Sequence, residues 1–128
     1  MKHLNTDNIR YIELKSGQAD RGPAWIARVR FSRSGRTIYF NGMGLKSGKG
    51  KCVGANYFDF ATGDEYWVSG VKKQEWNRHW IGSGDIMIER SLHQWYLGFI
   101  NFQDTGFLKV IDDLPPTDIQ ALSQLENA

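Results

Sequence analysis

Cysteine is all but missing from this chain. Cys52 stands alone, which excludes an internal disulfide and a zinc site built on thiolates and fits a reducing compartment. Long apolar runs are missing as well: no segment approaches the run of about 20 apolar residues that spans a bilayer, and the polar start Met-Lys-His-Leu-Asn-Thr-Asp-Asn has no apolar signal region. The expectation is a cytoplasmic chain with no membrane partner. Proline is scarce, three residues against fourteen glycines, which suits tight turns between short strands better than a disordered linker. A charge of one sign is also lacking. The 16 basic and 14 acidic residues leave a formal +2, so any electrostatic argument is local. The histidines His3, His79 and His93 show no ligand spacing such as H-x-x-x-H, and neither a metal site nor a cofactor motif is legible.

Aromatic residues, in contrast, are abundant: five Trp, five Tyr and seven Phe, most of which must be core or a binding face. At 128 residues the chain reads as one domain, long enough to bury roughly two thirds of its unfolded surface. Residues 53–71 organise the rest. They read Val-Gly-Ala-Asn-Tyr-Phe-Asp-Phe, then Ala-Thr-Gly-Asp, then Glu-Tyr-Trp-Val-Ser-Gly-Val, two strand-like runs around turn chemistry. Asp59 can fold its carboxylate onto the turn amides, and Gly63 can take the positive φ that a type I turn with a bulge requires. A β-hairpin is expected.

Before it, residues 1–8 are polar and expected to be loose, and the pattern Ile-Arg-Tyr-Ile-Glu-Leu-Lys from Ile9 predicts a first strand. Trp25, Ala27, Val29 and Phe31 alternate with Ile26, Arg28 and Arg30, which predicts one strand with an apolar face and a mixed, basic face. Ser32-Arg33-Ser34-Gly35 is a turn into the strand Thr37-Ile38-Tyr39-Phe40-Asn41, and the glycine-rich, basic residues 42–51 read as an exposed, mobile loop. After the central hairpin, residues 72–78 are a polar connection, His79-Trp80-Ile81 returns toward the core, and Asp85-Ile86-Met87-Ile88-Glu89 is a further strand. From Ser91 the period changes: Leu92, Trp95, Tyr96, Phe99 and Ile100 share a helical face, and Ser91 with Gln94 matches a capping box. Residues 107–111 fit a last strand or an extended arm, Pro115-Pro116 breaks the chain, and Thr117 with Gln120 is a second capping box for a short helix.

The pattern predicts a mainly β fold with minor α: a small antiparallel open barrel, Src-homology-3-like or related, with one or two short C-terminal helices. A flat meander with a helix on one face is the alternative. The expected division is a loose N-terminus (1–8), a barrel domain closed by a short helix (9–100) and a C-terminal arm with a short helix (101–128).

The runs Tyr11-Ile-Glu-Leu-Lys, Gly22-Pro-Ala-Trp-Ile-Ala-Arg-Val, Gly35-Arg-Thr-Ile-Tyr-Phe-Asn-Gly, Gly63-Asp-Glu-Tyr-Trp-Val-Ser-Gly-Val-Lys-Lys and Arg78-His-Trp resemble a family of short bacterial proteins of unknown function. Together they cover roughly residues 9–90. Some members carry the inherited name 1-deoxy-D-xylulose-5-phosphate synthase, which conflicts with this chain. A thiamine-diphosphate enzyme of that kind needs a Gly-Asp-Gly motif, followed by Asn, for magnesium and diphosphate. Here Gly63-Asp64 is followed by Glu65 and Gly84-Asp85 by Ile86. The resemblance implies no activity, cofactor or site residue.

Candidate chemistry is sparse. The loop 42–51 misses the phosphate-loop template, with Met43 at the first Gly position and Gly50 where Ser or Thr belongs, and it misses the dinucleotide template at Ser47. Cys52 at a strand start reads as a packing residue, and no Ser sits in a G-x-S-x-G elbow. Two surfaces remain. Basic residues gather in sequence as Lys46, Lys49 and Lys51, as Lys72, Lys73 and Arg78, and as Arg28, Arg30, Arg33 and Arg36, with Trp76 or Tyr39 able to stack on a base. Among the aromatics Tyr57, Tyr66, Trp67, Trp76 and Trp80, adjacent strand positions point opposite ways, so Tyr66 and Trp67 cannot both face the core, and one of them is expected to be exposed or covered by another segment. The expected ligand-binding set is Lys46, Lys49, Lys51, Tyr66, Trp67, Lys72, Lys73, Trp76, Arg78 and His79. The leading reading is a non-enzymatic binding module for a protein or peptide partner, with homo-oligomerisation open. A barrel for single-stranded RNA or DNA comes second. A small hydrolase or transferase using His79 with Asp59 or Glu65 comes third.

Overall fold

The computed structural model describes residues 6–15, 22–48, 55–71, 85–99 and 108–126. Turn chemistry sets the first pairings. Asp59 Oδ1 accepts the Ala61 N–H at 2.9 Å, Gly63 adopts φ +82°, and its N–H reaches the Asp59 carbonyl at 2.7 Å. The two arms of this hairpin are the strands Tyr57–Asp59 and Glu65–Ser69. The turn after Phe31 closes as the sequence implies, with Gly35 at φ +76° and the Ser32 N–H on the Thr37 carbonyl at 2.9 Å.

A third hairpin corrects the sequence reading. Asn41 and Gly42 both have positive φ, +49° and +78°, and Phe40 pairs with Met43. This is the two-residue turn for which Asn-Gly is the strongest short signal. The strand Met43–Ser47 that follows was expected to be a mobile loop, yet it lies inside the sheet with Leu45 fully buried. Glycine hides it from a hydrophobicity count. Gly44 has no side chain because the Phe60 ring lies where a Cβ would stand. Residues 49–54, the remainder of that expected loop, lie outside the described residues.

In chain order the strands are β1 (Ile9–Leu14), β2 (Ala24–Arg28), β3 (Arg30–Phe31), β4 (Thr37–Phe40), β5 (Met43–Ser47), β6 (Tyr57–Asp59), β7 (Glu65–Ser69), β8 (Ile86–Glu89) and β9 (Leu108–Ile111). A 3-10 turn, Thr6–Asn8, precedes them, and the helices are α1 (Arg90–Phe99) and α2 (Ile119–Glu126). All nine strands among the described residues join one sheet in the order β3-β4-β5-β6-β7-β1-β2-β8-β9. The ribbon predicted as one strand over residues 25–31 is divided at Val29. Its first half pairs with β1 and its second with β4. β3 is first and β2 seventh in the lateral order, with a single residue between them in the chain. A sheet so connected must curl back on itself, and the result is a mainly β, open half-barrel. Val29 is pinned at the bend by its N–H to the Asn8 carbonyl at 2.7 Å.

From β3 to β2 every pairing is antiparallel, whereas β8 lies parallel to β2 and β9 parallel to β8. Parallel neighbours need a crossover, and α1 supplies it between β8 and β9. Both sheet faces are then buried. Ile12, Ala27, Val29, Ile38, Phe40, Leu45, Tyr66 and Val68 fill the hollow. Ile9, Tyr11, Ala24, Ile26, Ile86 and Ile88 face the other way, against Leu92 and Tyr96 of α1. Ile26, assigned by alternation to the basic face, is therefore core, and Phe31, assigned to the apolar face, is 40 % exposed. No described helix is long and apolar enough to cross a membrane.

Candidate binding cleft at the strand bend

Of the site residues expected from sequence, Lys49, Lys51, Lys72, Lys73, Trp76, Arg78 and His79 lie outside the described residues, as do Trp80 and Cys52. The other three do not meet. Tyr66 points into the hollow, where its hydroxyl donates to Met43 Sδ at 3.2 Å. Burial first, then the charges of Asp59 and Asp64, push its phenol up to about 12. Trp67 stands one position along on the opposite face, beside Glu13 in register and packed on the outer core. Lys46 is on β5 and pairs with Glu126 of α2 at 3.3 Å.

What the structure does bring together is a cleft of about 290 Å³ at the bend of the β2–β3 ribbon. One side is Asn8, Arg28, Arg30, Tyr39 and Glu89, and the other is the arm, residues 113–117. The arm is held by main-chain and side-chain bonds together. Glu89, 5 % exposed, accepts the Arg28 N–H with Oε1 at 2.7 Å and the Leu114 N–H with Oε2 at 2.9 Å. Leu114 packs on the hollow's core, and Thr117 Oγ1 accepts the Gly42 N–H at 3.0 Å. Thr117 was expected to cap α2; that role falls instead to Asp118, whose Oδ1 accepts the Ala121 N–H at 3.0 Å. Helix α1 runs directly out of β8, so Ser91 is within it, and the cap comes from the arm: Asp113 Oδ1 accepts the Ser91 N–H at 2.9 Å.

Electrostatically the cleft is unequal. Burial is the largest single influence on Asp113 and raises its pKa, but the Ser91 N–H and hydroxyl and the charges of Arg28 and Arg90 together outweigh it, and the carboxyl titrates below its ordinary value. Arg28 donates to Ser91 Oγ at 2.6 Å. Arg30 is exposed and has no ion pair or side-chain hydrogen bond among the described residues. Asn8 Oδ1 is buried and has no hydrogen-bond partner among the described residues. Such groups are rare, since roughly 90 % of buried polar atoms are bonded.

A second cleft, about 430 Å³, lies on the other side of the start of β1 and is lined by Ile9, Arg10, Gly70, Val71, Trp95 and Phe99. The Trp95 and Phe99 rings stack at 5.1 Å with a 26° tilt. Arg10 places its guanidinium 5.1 Å from the Phe31 ring centroid. Among the described residues no three His, Cys, Asp or Glu side chains gather as a metal-binding group.

Sequence reasoning flagged Arg28, Arg30 and Tyr39 and named the arm, but it did not single out Asn8, Glu89 or Asp113. The signal for an ordered arm was a capped, proline-broken segment after β9. No family model, curated protein or solved structure matches this chain.

Proposed function

We propose that this chain is a non-enzymatic binding module for a protein or peptide partner, and that an extended segment of that partner lies in the cleft at the strand bend. The observation that carries this is Asn8 Oδ1, a buried acceptor without a donor among the described residues, on a residue that lines the cleft. Leaving it so costs about 1–3 kcal/mol, which a ligand N–H returns on binding. A peptide main chain brings one N–H per residue. A phosphodiester linkage brings none. The opposite wall contains Pro115 and Pro116, which have no N–H and offer acceptors only, again a match for a donor-bearing segment.

The test is an amide NMR titration of the full ¹⁵N-labelled chain with a degenerate mixture of linear peptides, and separately with poly(U). Shifts centred on Asn8, residues 28–30, Asp113, Leu114 and Thr117 with the peptides alone are expected. No shift with the peptides removes the reading. One observation favours the nucleic-acid reading: Arg30, Arg33 and Arg36 are exposed beside Phe31, itself exposed. Retention on heparin that falls steeply with salt, together with poly(U) shifts around residues 30–36, would turn the assignment that way.

A further inference from the structure

We infer that the bound segment carries an acidic side chain and, two to four residues away, a bulky apolar one. This rests on the peptide-binding reading above and names the class of peptide. The two clefts draw on consecutive residues of the chain: Asn8 lines the first, and Ile9 and Arg10 line the second. Helix α1 touches Arg28 of the first cleft and supplies Trp95 and Phe99 to the second. Ser91, near its N-terminal end, takes the Arg28 guanidinium at 2.6 Å beside the bend cleft, and Trp95 and Phe99 line the second cleft. At about 1.5 Å rise per residue, Trp95 and Phe99 stand about 6 and 12 Å from Ser91 along the helix. An extended peptide covers that span in about two to four residues at about 3.3 Å each.

Charge decides what the first position carries. The carboxylates in the bend cleft are both committed. Glu89 spends its two oxygens on the main-chain N–H groups of Arg28 and Leu114, and Asp113 accepts from Ser91 beside Arg28 and Arg90. Arg30 has no such commitment among the described residues, and Arg10 adds a second guanidinium at the rim of the neighbouring cleft. A carboxylate of the ligand meets Arg30 in a charge-assisted, two-point geometry that lysine could not offer. The second position is apolar because Trp95 and Phe99 present a stacked aromatic wall with Ile9 and Val71 beside it.

Panning a random linear dodecapeptide phage library on the immobilised full chain tests this. Enriched sequences should pair Asp or Glu with Trp, Phe, Leu or Ile at a spacing of two to four. A fluorescein-labelled synthetic copy of an enriched peptide should bind Arg30→Glu at least about fivefold more weakly, and replacing its acidic residue by Lys should restore binding to that variant. Arg30 is exposed, so the variant is expected to keep the wild-type circular dichroism. Trp95→Leu should weaken the same peptide while Arg33→Glu leaves it unchanged. Enriched peptides without an acidic residue, or binding unchanged in Arg30→Glu, overturn the inference and leave peptide binding standing. Absence of enrichment overturns both. Displacement of the labelled peptide by poly(U) at a lower concentration than by unlabelled peptide assigns the surface to nucleic acid and overturns the inference as well.

Discussion

Asn8 holds a buried acceptor, Oδ1, without a donor among the described residues. Replacing it by Leu, of similar size and without polar atoms, removes the desolvation penalty, and Asn8→Leu should stabilise the protein by about 1 kcal/mol. The check is a higher urea midpoint at unchanged slope, with peptide binding weakened in the same variant. A residue that costs stability and serves binding would behave so, whereas a purely structural one would lose both. Gly44 argues the opposite case, a residue chosen by packing alone. A Cβ there overlaps the Phe60 ring, and Phe60 is tied to Gly44 by its N–H on the Gly44 carbonyl at 3.1 Å. Gly44→Ala should therefore cost about 1–3 kcal/mol. In a double-mutant cycle with Phe60→Ala most of that cost should vanish, because the space the ring held is then free for the methyl group. Additive losses would show that the glycine is needed for its backbone, which has no positive φ, and would contradict the packing account.

At the scale of elements, the arm after β9 is held by two carboxylates that act differently. Glu89 accepts two main-chain donors, and Glu89→Gln keeps one acceptor and turns the other end into a donor. The Leu114 bond should yield first, since Arg28 stays fixed by its pairing with Ile9. Faster hydrogen exchange at the Leu114 amide and a loss of about 1–3 kcal/mol are the expected readings. Asp113 sets a pH window. Its folded pKa is below the ordinary 3.8, so its cap on α1 contributes stability above that value and loses it only as pH falls through the lowered folded pKa. The Ser91 amide shift should stay constant from neutrality to pH 4 and move at a midpoint below 3.8, and Asp113→Asn should abolish that step. These elements also mark what the sequence could and could not disclose. The hairpin of β6 and β7 was legible because Asp59 and Gly63 carry their turn chemistry in their side chains, or lack of one. The strand β5 was hidden by Gly44 and Lys46, whose composition is that of a loop, although Asn41-Gly42 announced the turn. The alternation of residues 25–31 continues unbroken through Val29, so nothing local could reveal that the ribbon changes partners there. Half of the cleft was out of reach for the same reason: the Arg28 and Arg30 charges can be read, but the Glu89–Leu114 bond joins residues 25 apart in sequence and exists only once the arm has crossed the sheet.

For the whole molecule, the decisive feature is that one sheet serves two cores. β1 sends Ile9 and Tyr11 toward α1 and Ile12 into the hollow, and β2 divides in the same way, with Ala24 and Ile26 outward and Ala27 inward. Neither core can be lost while β1 and β2 remain properly buried, so the described fold should unfold as a single cooperative unit. Ile12→Ala in the hollow and Ile26→Ala beneath α1, both at fully buried sites, should each cost about 2–5 kcal/mol. Two tryptophans make the distinction measurable, since Trp25 contacts Phe40 edge-to-face at 5.4 Å on the hollow side and Trp95 packs with Phe99 on the helix side. With 5-fluorotryptophan incorporated, the Trp25 and Trp95 fluorine resonances should lose their native shifts at the same urea concentration in the wild type. In both alanine variants they should fall together to a lower, shared midpoint. If Ile26→Ala moved the Trp95 transition and left Trp25 in place, the helix-side layer would be a separate folding unit merely resting on the half-barrel. The second cleft, lined by Trp95 and Phe99 and needed by the proposed two-position ligand, would then be lost whenever that layer opened.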